Sequence, residues 1–163
     1  MSVREIVLWP DPGLEMKCAP VSHGDDVRVL AEDLLETMYA ASGRGLAAPQ
    51  VGVLRRVFVM DVTWKDGVRD PMVFLNPEVL SASDRMSEGD EGCLSIPGIT
   101  ARVRRPDEVC LRWMNLDGSV REDRFDGFAA RCVQHEVDHL DGIVTLNRIA
   151  PDTRAALEAE YMA

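Results

Sequence analysis

An α+β fold is expected from three observations. Strand-like segments fill the middle of the chain, helical periodicity is confined to its early and late parts, and the late helix carries His135-Glu136-Val137-Asp138-His139 inside an apolar run. Together they predict antiparallel or mixed β-sheets packed around a central metal-binding helix, with one helix before it and a short one after it. The chain has 163 residues, enough for one substantial core, so residues 1–163 are read as a single catalytic domain.

The elements follow in chain order. Val7-Leu8-Trp9-Pro10-Asp11-Pro12-Gly13-Leu14 is extended and then broken by a Pro- and Gly-rich turn. His23 sits in a polar turn and is expected to be an exposed loop histidine. Asp25 or Asp26 can cap a helix running to about residue 41. Val29, Leu30, Leu34, Leu35 and Met38 recur there at the helical period and form one buried face, and Ser42-Gly43 ends it. In 43–52 small residues and glycines bring a backbone close to something, and Pro49 interrupts any helix. The Gly-x-Gly there opens no helix with a third glycine, so it makes no dinucleotide fingerprint.

Residues 56–62 are a strand by β-branched content, and Trp64-Lys65-Asp66-Gly67 is a turn. Residues 72–75 begin a second strand that Asn76-Pro77 interrupts, favouring an edge or a kinked exit. The polar stretch 81–90 reads as an irregular connection, and 91–98 as a compact loop. Residues 100–104, 108–115 and 119–125 read as three strands, the last two joined by a hairpin at Leu116-Asp117-Gly118-Ser119. Asp126 is a good N-cap for the metal helix, Gly142 can end it, and Pro151 suits the first position of a final helix.

Composition excludes several classes. The hydrophobic share of 46% and charged share of 28% are ordinary for a soluble globular protein. No apolar run reaches the length of a membrane span. The first ten residues hold too short an apolar part for a signal peptide and no small-residue cleavage site, so a cytoplasmic location is expected. A net charge of −10 leaves no broad footprint for nucleic acid or an anionic membrane. Arg102, Arg104 and Arg105 form the one dense basic cluster, expected to be a solvated strand end. The four cysteines, Cys18, Cys93, Cys110 and Cys132, contain no C-x-x-C. In a reducing compartment each is a buried apolar residue or a ligand.

His135 and His139 are four apart, so they lie one turn apart on one helix face, about 6 Å between Cβ atoms. Both imidazoles can bind one divalent ion, and Glu136 between them can act on a water that the ion polarises. A third ligand is needed. Cys132 is seven positions from His139, about 10 Å along the axis, so one ion cannot reach both. Cys132 is expected to line the cavity or the core. Two candidates stay open by spacing: Cys93 in its glycine-flanked loop, and a later carboxylate, Glu158 or Glu160.

Three blocks occur in order: Gly43-x-Gly45-Leu46-Ala47-Ala48-x-Gln50-x-Gly52, Glu91-Gly92-Cys93-Leu94-Ser95, and Gln134-His135-Glu136-x-Asp138-His139-Leu140-x-Gly142. They closely resemble the three signature motifs of peptide deformylases, and the likeness extends to Asn76-Pro77, Ile96-Pro97-Gly98 and Arg105-Pro106. The resemblance implies removal of the formyl group from N-formyl-methionyl nascent peptides. It implies one divalent ion held by Cys93, His135 and His139, natively Fe(II), with Zn or Ni able to occupy the site. Glu136 would be the general base and acid. The Gln50 side-chain amide and the Leu94 backbone N–H would stabilise the oxyanion. Arg44, Gly45, Glu91, Gly92, Phe128, Arg131 and Cys132 would border the peptide and its methionine pocket. Asp138 would support the ligands from behind by pairing with Arg105.

The chain departs from the family pattern in places. Arg44 stands where many members have an aliphatic residue, Thr100 where many have an Arg that helps hold the peptide, and Asn147 where an Asp is usual. Residues 152–163 carry three acids and one Arg, which argues against the ribosome contact that a basic C-terminal helix makes in some members. Two other functions compete: a small HExxH metallopeptidase using Glu158 or Glu160, and a deformylase-like peptide-binding protein with altered substrate preference.

Overall fold

The computed structural model describes residues 2–22 and 24–163, so the reading of His23 lies outside the described residues. Five strands form one antiparallel sheet: β1 (Gly45–Ala47), β2 (Val57–Met60), β3 (Met72–Ala82), β6 (Glu108–Met114) and β7 (Val120–Asp126), in that spatial order. A separate antiparallel hairpin pairs β4 (Met86–Cys93) with β5 (Ile96–Pro106). Among the described residues three α-helices complete the fold, α1 (Arg28–Ala40), α2 (Gly127–Leu140) and α3 (Pro151–Met162). The expected α+β class and the central His-Glu-x-x-His helix are both present. Among the described residues no helix is long and apolar enough to cross a membrane.

The sequence of β2, Val-Phe-Val-Met, explains why the sheet is covered on both faces. Alternate residues of a strand point to opposite sides. Val57 and Val59 pack with Leu34 and Met38 of α1, while Phe58 and Met60 join Val133, Val137 and Leu140 of α2. Phe58 stacks on Phe74 with ring centroids 4.3 Å apart, and Phe74 meets Trp113 at 4.7 Å. A third cluster, Leu14, Ile96, Ile99, Val144 and Leu146, takes Leu157 and Tyr161 of α3 against the β4–β5 hairpin.

Several expectations are corrected. Helix α1 begins at Arg28, whose N–H donates to Asp26 Oδ1, and Val29 is 57% exposed instead of buried. Asn76-Pro77 does not end a strand: β3 continues through it as a bulge, lies between β2 and β6, and is no edge. The left-handed Asn76 (φ 49°) holds the bulge by hydrogen bonds to both Val21 N–H and Val21 C=O, each 2.8 Å. The stretch 81–90 is largely strand, because β4 starts at Met86 and carries the chain straight to Cys93. Asp126 precedes α2 but makes no side-chain cap bond. Arg102 and Arg104 are exposed as expected, whereas Arg105 is buried.

Candidate metal centre and active-site cleft

Helix α2 is anchored at its C-terminal end, and that fixes its histidines. The Leu140 carbonyl accepts from Cys18 N–H at 2.9 Å and from Arg56 Nη1 at 2.9 Å, satisfying an orphan acceptor of the last turn. Gly142 then turns the chain at φ 75°, where a Cβ would come within 2.8 Å of the Glu15 carbonyl oxygen. Only glycine fits both the torsion and the space.

His135 and His139 bring their Nε2 atoms to 3.2 Å of each other, and Cys93 Sγ lies 3.4 Å from His139 Nε2. The atoms that Cys93, His135 and His139 could offer to a metal ion all fall within 4.8 Å of one another. One sulfur and two imidazole nitrogens converging in this way suit a single divalent transition-metal ion, so the donor set fits the expected group. Neither carboxylate proposed as an alternative joins them: Glu158 is paired with Arg154 on α3 at 2.7 Å, and Glu160 is outside this cluster of possible ligands.

Behind these three residues lies a buried ionic network. His135 Nδ1 is 3.0 Å from Glu91 Oε1, which leaves Nε2 free to face Cys93 and His139. Arg105 donates to both Glu91 oxygens, at 2.7 and 2.9 Å, and to Asp138 Oδ2 at 2.9 Å. Arg148 donates twice to Asp138, and Arg131 Nη1 donates to Glu91 Oε2 at 2.8 Å. Burial alone would raise the Glu91 carboxyl. The hydrogen bonds from Arg105 and His135 and the charges on both hold it well below the usual carboxylate range. Burial pushes His139 well down, and charge on His135 pushes it further.

Glu136 is buried on the same helix face, with Oε1 3.8 Å from His135 Nε2 and Oε2 without a hydrogen-bond partner among the described residues. Burial raises its carboxyl to about 7, a value suited to both taking and giving a proton near neutral pH. Gln50, also buried, has its amide oriented by its neighbours. Ala47 N–H donates to Oε1 at 3.0 Å, while Nε2 points to Ser95 Oγ at 3.1 Å and Cys93 Sγ at 3.6 Å. Gly45 is a close approach: a Cβ there would lie 2.9 Å from Cys132 Sγ and 3.2 Å from Glu136 Cδ. Burial first, then the charge on Glu136, pushes the Cys132 thiol well above its ordinary value. It is thus a neutral wall, in keeping with its expected place. These groups line a cleft of about 530 Å³ that also takes in Arg44, Gly92, Leu94, Phe128 and Arg131, a size suited to a short peptide end.

The polypeptide deformylase family model matches residues 3–155. The peptide deformylase of Rhodopseudomonas palustris (strain BisB18) is 44% identical over 99% of this chain and 94% of its own. That of Afipia carboxidovorans is 46% identical over 92% and 88%. The chain belongs to the polypeptide deformylase family. Among solved deformylases, that of Legionella pneumophila superposes with a TM-score of 0.92 at 34% identity, over 99% of this chain and 94% of the other. The enzyme of Ehrlichia chaffeensis, in complex with actinonin, gives 0.92 at 35% identity over 98% and 96%. This deformylase is therefore a hydrolase of N-formyl-methionyl peptides, and its family uses a divalent metal ion.

In this deformylase the residues expected at the site line the cleft, except His139, which is buried with its Nε2 beside Cys93 and His135, but two of them spend their side chains elsewhere. Glu91 and Arg131, expected beside the substrate, turn their charged ends toward each other and toward the hairpin. Arg131 also donates to the Val103 and Ser87 carbonyls, at 2.8 and 3.0 Å. The contact of Glu91 with His135 and the hold of Ser95 on Gln50 were not read from the sequence. For the burial of Arg105 behind Glu91 the sequence does carry a signal: Ile99, Ala101 and Val103 alternate inward along β5, and the next inward position is Arg105.

Proposed function

We propose that Cys93, His135 and His139 hold the ion, natively Fe(II), with Zn or Ni as alternatives, and that Glu136 moves the protons. The convergence of one thiol and two imidazoles beside an unpartnered, buried Glu136 carries this reading. When bound, the ion supplies Lewis acidity, polarising a water and the formyl carbonyl. Glu136 takes a proton from the attacking water and delivers it to the departing amine as the C–N bond breaks. The Gln50 Nε2–H and the Leu94 N–H stabilise the oxyanion. Losing one such donor costs about 3 kcal/mol of barrier.

The peptide is held by the open edge of β1. Asp61 N–H donates to the Arg44 carbonyl at 2.9 Å, so residue 44 bonds toward β2. Alternation then turns the N–H and C=O of Gly45 to the open side, where an extended substrate can pair. Gly92 and Cys132 flank the methionine side chain, and Arg44 and Phe128 border the mouth; Glu91 and Arg131 brace the wall behind.

The whole of 1–163 acts as one catalytic domain in the cytoplasm on nascent chains, without direct nucleic-acid binding or membrane attachment. The acidic α3, whose Tyr161 hydroxyl donates to the Trp9 carbonyl at 2.7 Å, packs on its own domain in place of a ribosome contact. Hydrolysis of formyl-Met-Ala-Ser by anaerobic Fe(II)- or Ni-loaded protein, run beside Glu136→Ala, tests the reading. We expect turnover in the parent and a loss of at least about 100-fold in the variant; parent activity no higher than the variant's would sink it.

A further inference from the structure

The cleft mouth carries a charge pattern opposite to that of the whole chain. Arg44 and Lys65 both line it, and neither forms an ion pair among the described residues. Arg44 instead lies over the Phe128 ring, 5.0 Å from the centroid, and Phe128 is itself 50% exposed. Lys65 is carried by a short helical turn, Trp64–Asp66, that is fastened to the mouth. Trp64 Nε1 donates to the Gly43 carbonyl at 2.9 Å, and its ring meets Tyr39 edge-on at 5.2 Å. Both cations thus sit on anchored supports: Arg44 against the Phe128 ring, and Lys65 next in the chain to Trp64, which is tied to Gly43. Among the described residues lining the cleft, Asp90 is the one exposed acid, and it faces Arg102 at 3.5 Å. On a chain with a net charge of −10, two unpaired cations at the cleft entrance focus a local positive field.

We infer that this mouth selects formyl-methionyl peptides with an acidic side chain at the second or third residue. This rests on the deformylase reading and on pairing of the peptide at Gly45. With its formyl end beside Glu136 and Gln50, a peptide that pairs antiparallel at Gly45 runs from the Gln50 side of β1 toward Arg44, and so leads its next side chains into the part of the cleft that Arg44 and Lys65 line. Arg44 keeps its guanidinium oriented by the Phe128 face and can fork onto a carboxylate. A basic side chain in the same place meets two like charges.

The test compares kcat and KM for formyl-Met-Glu-Ser, formyl-Met-Ala-Ser and formyl-Met-Lys-Ser, and for the pair formyl-Met-Ala-Glu and formyl-Met-Ala-Lys. We expect the acidic member of a pair to exceed the basic one by about five-fold in kcat/KM, mainly through KM, and the ratio to shrink toward one in about 0.5 M salt. Arg44→Ile combined with Lys65→Gln should bring the ratio to about one. Calorimetric titration with the products Met-Glu-Ser and Met-Lys-Ser should follow the same order without needing turnover. Equal kcat/KM across the charges, or a ratio unmoved in the double variant, overturns the charge preference and leaves the deformylase reading standing. Absence of turnover on every peptide sinks the deformylase reading instead, and the titration then decides the charge preference alone.

Discussion

The same residue types build two ionic arrays in this molecule, and they do different work. On the outer face of β6 and β7, Arg112 meets Glu122 at 2.9 Å and Arg124 meets Glu108 at 2.8 Å, all four side chains well exposed. Behind Cys93, His135 and His139, Arg105, Glu91 and Asp138 meet at similar distances, but Arg105 and Glu91 are each only 4% exposed. Distance does not separate the arrays; solvent does. A surface pair is screened and costs side-chain entropy, while a buried charge that loses its partner has no water to turn to. The inner array also ends on His135, so it orients an imidazole of the candidate metal centre, whereas the outer one ends in solvent.

The comparison can be broken most directly at Arg105. Arg105→Met leaves two buried carboxylates with only Arg131 and Arg148 between them, and should cost about 3–5 kcal/mol of stability in urea unfolding. A loss no larger than that of a surface variant would show that burial does not distinguish the arrays. Glu91→Gln sharpens the other half. It removes the charge behind His135 and should weaken metal binding by about 10–100-fold in chelator competition; unchanged metal affinity would mean that His135 needs no support from Glu91. The smallest effect is expected at Arg112→Ala, about 0.2–1 kcal/mol by the same unfolding measurement and smaller still in high salt.

The two arrays also differ in how legible they were. The His135–His139 pair could be read because helical spacing alone sets it, and the hairpin at 116–119 because its turn residues announce it. Cys93 could not be separated from Glu158 or Glu160 by spacing, since its approach to the helix depends on the β4–β5 hairpin folding over α2. Most of β4 is solvated on a two-stranded hairpin, so Met86 to Asp90 show no apolar alternation, and the stretch resembled a loop. Arg105 looked like part of a solvated basic cluster because its neighbours Arg102 and Arg104 are one. Only the inward alternation of β5 separates it from them. Val29 misled for the opposite reason: an apolar residue in the first turn of α1 fits the helical stripe within the scatter of the pattern, yet faces water. Asn76-Pro77 shows a third case, in which a strand breaker is absorbed as a bulge because Asn76 finds both polar partners on one residue.

The edge of β1 proposed to pair with substrate is also a hazard, since any exposed sheet edge can recruit a stray β-strand from another molecule. Here β1 is only three residues long. Leu46 bonds inward by alternation, and the outward N–H of Ala47 is already claimed by Gln50. The one outward amide of β1 left open is that of Gly45, enough for the proposed pairing with a short formylated end but too little to nucleate an intermolecular sheet.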